Sequence, residues 1–278
     1  MEELTRIKAR IENLQELRDL FRAMRALAAS HLQEAQAALG GIREYVEIVE
    51  DALLDGASLQ MPADDAVRSG AAPGALIAVC SEQGFTGAFN ELLLERALAE
   101  LAPGEQLGII GRRGALLADE RGMPVTWQFP MATHVAGVVG TTRAVASNLS
   151  GVGAVRIIYA RYSGAAGYSI ETRAILPLDP SLLKRNTGRG APLHHLAPAI
   201  LLDTLADEYL FAEFTRGVME SFASESAAQL MVMESADHRI GERLEILGRE
   251  QHALRQAAIT TELLDVVLAA ESVMGRPF

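Results

Sequence analysis

Residues 4–54 read LTRIKARIENLQELRDLFRAMRALAASHLQEAQAALGGIREYVEIVEDALL, with apolar or small side chains at Leu4, Ile7, Ile11, Leu14, Leu17, Phe21, Met24, Ala28, Leu32, Ala35, Leu39, Ile42, Val46, Val49 and Leu53. Steps of three and four alternate almost throughout, which is the spacing of a coiled-coil seam. The alternation slips around Leu14 and around Ala28, and such slips locally overwind or unwind a supercoil. At about 1.5 Å of rise per residue the helix would run roughly 80 Å, too long for a small globular domain to hide. The far end repeats the pattern through Leu230, Met233, Ile240, Leu244, Leu247, Leu254 and Ala258, with Asp237, Gln251, Thr261 and Asp265 at seam-like positions. Polar seam residues weaken an isolated helix pair, so this part of the helix suits a face turned to a partner or to water. Periodicity alone equally allows an ordinary helical hairpin.

Between the ends the pattern changes. Pro62, Ser69, Gly70, Pro73 and Gly74 form a loop of helix breakers. Short apolar runs at 75–81, 106–111 and 125–129 then alternate with helical segments at 87–101, 112–121 and 134–149. Two further strands, 155–162 and 168–176, are separated by the turn-prone Ser163, Gly164 and Gly167. This order predicts an α/β fold: a Rossmann-like, mostly parallel sheet with one antiparallel edge pair, carried between two coiled-coil helices. The expected domains are residues 1–57 (N-terminal helix), 73–195 (α/β) and 201–275 (C-terminal helix, pairing with the first).

Composition narrows the function. A hydrophobic fraction of 49% in 278 residues supports a packed core. The net charge of −11 removes the usual electrostatic drive for nucleic-acid binding. No basic-plus-apolar leader and no apolar run of about 18 residues is present, so neither a secretory signal nor a membrane span is expected. Cys80 is the only cysteine, which rules out an internal disulfide and a thiolate metal cluster.

The motifs give little chemistry. Gly84-Phe85-Thr86-Gly87 follows the first strand and opens a helix, where backbone N–H groups can hold a phosphate. The dinucleotide fingerprint is incomplete, and neither Lys8 nor Lys184 follows a glycine as a phosphate-binding loop requires. A tight strand-to-helix turn is the simpler reading. His194 and His195 lack a spaced carboxylate or cysteine to complete a metal site, and Lys184, Arg185 and Arg189 read as a solvated basic loop. No nucleophile and base are spaced as a pair. Neither a catalytic residue, a cofactor nor a metal is expected.

Three stretches carry a resemblance. Ile7-Lys8-Ala9-Arg10-Ile11 and Arg22-Ala23-Met24-Arg25-Ala26-Leu27-Ala28-Ala29-Ser30 resemble the opening helix of the gamma subunit of F-type ATP synthases. Arg255-Gln256-Ala257-Ala258-Ile259-Thr260-Thr261-Glu262-Leu263-Leu264, with Ala223-Ser224-Glu225-Ser226-Ala227-Ala228 before it, resembles that family's last helix. Ser81-Glu82-Gln83-Gly84-Phe85-Thr86-Gly87-Ala88-Phe89-Asn90 is similar to its Gly-rich turn. Phe21, His31, Glu234, the Gln251-His252-Ala253-Leu254 run and the Leu268-Ala269 pair depart from the family pattern and mark a divergent member.

The resemblance implies a non-catalytic rotor. Its coiled coil enters the ring of alpha and beta subunits, and its α/β domain lies near the epsilon subunit and the membrane c-ring, at the cytoplasmic face of a bacterial inner membrane. It also implies that Arg255, Gln256, Thr260 and Glu262 contact a loop of beta, and that Arg22, Met24 and Arg25 pass an acidic segment of beta. Without the resemblance, a non-rotary coiled-coil scaffold or a nucleotide-binding α/β enzyme fits the same periodicity.

Overall fold

The computed structural model describes residues 2–57, 59, 74–149, 151–164, 167–178 and 193–274. The breaker loop before Gly74 and the Lys184, Arg185, Arg189 cluster lie outside the described residues. Helix α1 spans Glu2–Ala57 and strand β1 Ala75–Val79; α2 (Phe89–Glu100), β2 (Gln106–Ile110), α3 (Arg112–Glu120) and β3 (Val125–Phe129) follow. A single 3-10 turn at Val135–Gly137 leads into α4 (Val138–Asn148), β4 (Val155–Tyr162), β5 (Tyr168–Leu176) and α5 (Pro198–Met274). The chain divides into two compact units, residues 27–230 and the paired helix segments 1–26 with 231–278.

In the larger unit the strand order is β3-β2-β1-β4-β5. β1 pairs in parallel with β2 and β4, β2 with β3, and β5 closes the edge antiparallel to β4. The expected fold class, including the one antiparallel pair, is the one found. Alternation along the strands divides the core in two. Ala75, Ile77, Val79, Ile157 and Tyr159 face α4 and the two long helices, where they meet Ala35, Val46, Val49, Phe214, Val218 and Phe222. Leu76, Ala78, Cys80, Ile158 and Ala160 face the other way, onto Phe89, Leu93 and Leu94 of α2 and Ala115 and Ala118 of α3. Both faces are covered at the centre of the sheet, so β1, buried throughout, reads as an unbroken apolar run.

Gly217 sets how closely α5 lies on the sheet. A Cβ there would stand 2.6 Å from Ile157 Cδ1, so the backbone of the helix occupies space that any other residue's side chain would need. Beside it is a buried charge cluster. Glu213, with a fully buried side chain, takes Arg216 Nη2 at 2.6 Å, and Arg173 Nη2 of β5 lies 2.8 Å from its other oxygen as an ion pair without hydrogen-bond alignment. Arg173 also reaches Glu50 of α1 at 3.3 Å. Burial raises the Glu213 pKa even though both arginines oppose it. α1 and α5 are further joined by Arg43 to Glu220 at 2.6 Å, by the Tyr45 hydroxyl to Glu208, and by His31 against Phe222 with ring centroids 5.8 Å apart.

In the smaller unit, residues 2–26 of α1 lie along α5. Ile7, Met233, Ile240 and Leu247 are buried there. Leu17 departs from the seam expectation at 40% exposure, because the contact next to it is polar. Asp237 Oδ1 accepts Arg18 Nε at 2.8 Å and Arg22 Nε at 3.0 Å, and Gly241 leaves space for the Arg18 guanidinium. Of the four polar seam positions, Asp237 and Gln251 are half-buried and Thr261 and Asp265 are exposed. The hydrogen bond from Arg18 holds Asp237 below the usual carboxylate range. This pairing therefore contributes at neutral pH and is lost as pH falls through the lowered value.

Candidate functional site

Doubly wound sheets take ligands at the carboxyl ends of the strands where the chain switches direction across the sheet. Here that point lies between β1 and β4, whose pairing ends at Ala78 and Ile158. Past it the gap is filled by α5. Ser221 Oγ donates to Val79 O at 3.1 Å and accepts from Ala160 N–H at 2.9 Å, while Ser224 Oγ donates to Ala160 O at 3.0 Å. The helix thus completes the hydrogen bonding of two strands that have parted. Ser221→Ala would strand the Ala160 N–H in a dry site and is expected to lower stability by about 1–3 kcal/mol. Urea titration checks this, with Ser226→Ala as a control, since Ser226 Oγ bonds only Phe222 O of its own helix among the described contacts.

The loop above this gap is also taken up internally. Ser81 N–H donates to Asn90 Oδ1 at 2.8 Å, and Gln83 N–H donates to Glu225 Oε1 of α5 at 2.9 Å. Gln229 Nε2 donates to Gly84 O at 3.2 Å. Glu82 spans to α3, forming an ion pair with the Arg112 guanidinium at 2.7 Å and accepting the backbone N–H groups of Arg112 at 3.1 Å and Met131 at 2.9 Å. The donors at Ser81 and Gln83 that an anionic ligand would need are occupied by side chains of the chain itself. A surface cavity of about 370 Å³, lined by Gly84, Phe85, Thr86, Arg113, Leu116 and Glu120, lies beside the loop. Phe85 sits there in the left-handed region at φ 62° and is 54% exposed. Burial pushes the Cys80 thiol well above its ordinary value, so it is held neutral and shielded.

The family-matched contact residues fall into two stations on the smaller unit. Arg22 is exposed but engaged with Asp237 and with Asp19 at 3.9 Å; Met24 and Arg25 are half-buried. Arg255, Gln256, Thr260 and Glu262 are all exposed on α5, and Thr260 Oγ1 donates back to Gln256 O at 2.9 Å. Eighteen residues separate Asp237, opposite Arg22, from Arg255, or roughly 27 Å of helix. The two sets therefore do not form one site. From Ile259 onward α5 also presents Leu263, Leu264, Val266, Val267 and Leu268 to the outside, each at least half exposed. At 3.6 residues per turn these side chains and Ile259 cover roughly 200° of the circumference, and Thr261, Glu262 and Asp265, also exposed, hold the rest.

Sequence reasoning missed the roles of Ser221, Ser224, Glu225 and Gln229. Their signal was a run of small and polar residues inside the stretch 209–230 of α5, which has no exposed residue. His194 and His195 sit in an exposed loop, with His194 Nδ1 at 2.9 Å from Leu196 O. Among the described residues no group of His, Cys, Asp and Glu is placed to hold a metal, and no helix is long and apolar enough to cross a membrane.

Comparison with known proteins places these features in a family. The family model ATP-synt, described as ATP synthase, matches residues 3–273. The ATP synthase gamma chain of Chlorobium chlorochromatii is 28% identical over 99% of this chain and 100% of its own length. That of Sorangium cellulosum is 26% identical over 98% of this chain and 99% of its own. Among solved structures, a chain of the Euglena gracilis mitochondrial ATP synthase rotor aligns with a TM-score of 0.68 at 12% identity, over 93% of this chain and 99% of that one. A chain from the central stalk and c-ring of the Tetrahymena thermophila enzyme aligns with a TM-score of 0.56 at 18% identity, over 78% and 99%.

Proposed function

The chain belongs to the ATP synthase gamma chain family, and we propose that it is the central-stalk rotor subunit of an F-type ATP synthase or ATPase. The observation that carries this reading is the end of α5. Residues 255–268 are exposed almost throughout, and the last ten of them hold six large apolar side chains. Such a surface is stable in water only when something surrounds it. A helix exposed all round, with apolar side chains over more than half of its circumference, fits a central bore better than a flat docking face. The hexamer of alpha and beta subunits offers that bore, with Arg255, Gln256, Thr260 and Glu262 meeting a loop of beta. Arg22, Met24 and Arg25 would face an acidic segment of beta further along the coil.

On this reading the chain carries no bond chemistry. Ion flow through the membrane sector turns the coil, and its unequal faces favour a different conformation in each beta subunit. ADP and phosphate are then bound, joined and released as ATP by a shift of populations driven by rigid-body motion. Exposed arginines suit a moving contact. Partly solvated ion pairs are worth only about 0–1 kcal/mol each and so break and re-form as the neighbour changes. The epsilon subunit and the c-ring are assigned to the α/β end of the chain, at the membrane surface, with no span of its own.

Co-purification from the native membrane with a tag on this chain tests the reading. One copy per hexamer of alpha and beta subunits is expected, and self-association without ATPase subunits would support the scaffold alternative instead. In the assembled complex, Arg255→Ala with Gln256→Ala is expected to reduce ATP-driven ion pumping about tenfold, the equivalent of one exposed ion pair and one neutral hydrogen bond lost together. Circular dichroism of the variant chain should be unchanged. Full pumping in a fully assembled variant complex would remove these two residues from the beta contact.

A further inference from the structure

Glu225 is a carboxyl group at 5% exposure, held by a loop instead of by a cation. Its Oε1 accepts the Gln83 N–H at 2.9 Å, and the Glu82 N–H also favours the ionised form. The groups that face it are the Glu82 side chain from the loop, paired with Arg112, and the buried Cys80 thiol just past β1. One turn further along α5, Gln229 binds Gly84 O at 3.2 Å and Gln83 Oε1 at 3.4 Å. Among the described residues no arginine or lysine contributes to its electrostatics. A carboxylate buried without a countercharge is penalised by lost hydration.

We propose that Glu225 is a proton-operated latch: its neutral carboxyl holds the Glu82–Gly87 loop against α5, and its ionisation favours release of that loop. When the loop opens, water reaches the carboxylate and the penalty of burial disappears. The two backbone donors oppose release, but burial is the larger influence and lifts the pKa from 4.5 to about 8. The closed form is therefore fully favoured below the ordinary carboxyl value, loses ground as pH rises, and changes no further above about 8. The loop carries Phe85 and one wall of the surface cavity, so its release remodels that surface. The latch does not depend on the rotor reading, since both of its parts belong to the same compact unit.

Hydrogen exchange of the full-length chain, measured by mass spectrometry from about pH 5.5 to 9 and corrected for intrinsic exchange, tests this. The opening constant of the Glu82 and Gln83 amides, the two that Glu225 holds, is expected to rise about tenfold per pH unit and level off near pH 8. In Glu225→Gln, whose amide oxygen still accepts from Gln83, it should stay flat. A wild-type constant as flat as that of E225Q, or an E225Q constant as steep as the wild type, would overturn the latch. If E225Q does not fold, carbon-13 titration of the Glu225 carboxyl in the wild-type chain decides. A midpoint above about 7 supports the latch, and one in the ordinary carboxylate range overturns it.

Discussion

Gly111→Ala is expected to destabilise the α/β unit by about 3–5 kcal/mol, a large share of the roughly 5–15 kcal/mol that holds a typical domain. Gly111 joins β2 to α3 at φ 106° and ψ 122°, a conformation costly for any residue with a Cβ. An added Cβ would stand 2.5 Å from Cys80 O and 2.6 Å from Ser81 O, both backbone atoms that cannot rotate away. The segment cannot easily shift either. Gly111 N–H donates to Phe129 O at 2.8 Å, and Cys80 N–H donates to Ile110 O at 2.8 Å, tying the position to β3 and to β1. Backbone strain of about 1–3 kcal/mol adds to an overpacking cost of similar size. Urea unfolding of the full chain, followed by Trp127 fluorescence, measures the loss. A change below about 1 kcal/mol would show that the strand ends yield more readily than their hydrogen bonds imply.

Arg216→Met is expected to cost about 3–5 kcal/mol, because it leaves Glu213 buried beside Glu50 with Arg173 as the one opposing charge and the Tyr209 hydroxyl as a neutral partner. Arg216 is the largest of three influences, with Arg173 and the Tyr209 hydroxyl, that restrain the upward shift of the Glu213 pKa. Its removal drives Glu213 further toward the neutral form, and that protonation is the cost at neutral pH. The companion variant separates charge from packing. Glu213→Leu with Arg216→Met removes both charges and should recover most of the loss, since well-packed apolar replacements of buried ion pairs are often neutral. If the double variant is as unstable as the single one, the methylene packing of Arg216 between α5 and the sheet is what matters, and the charge pair contributes little.

These effects act at places of different visibility in the sequence. The strands at 155–162 and 168–176 and the helix pattern at both ends were legible residue by residue, because apolar periodicity reports a local geometry repeated many times. The Ser81–Asn90 stretch was legible as a turn, the simpler reading beside a phosphate holder, but nothing local showed what occupies its backbone donors. The occupant at Gln83 is Glu225, 142 residues away. Similarly, Asp237 was visible as a polar interruption of a seam, while its two partners, Arg18 and Arg22, were not. Arg22 was marked only by resemblance, as a contact to another subunit, and the fold gives it a partner within its own chain.

The sequence by itself determined the two long helices, the alternation of strands and helices between them, and the motifs that assign the family. Each depends on the order of residues over a few turns or strands, where near neighbours in the chain are near neighbours in space. Only the tertiary structure decided that α5 fills the switch point of the sheet, that Glu225 is buried against the loop, and that residues 259–268 are left uncovered. Burial and pairing of that kind depend on which distant segments meet, and a polar residue in a helix reads alike whether it faces water, a strand end or a carboxylate.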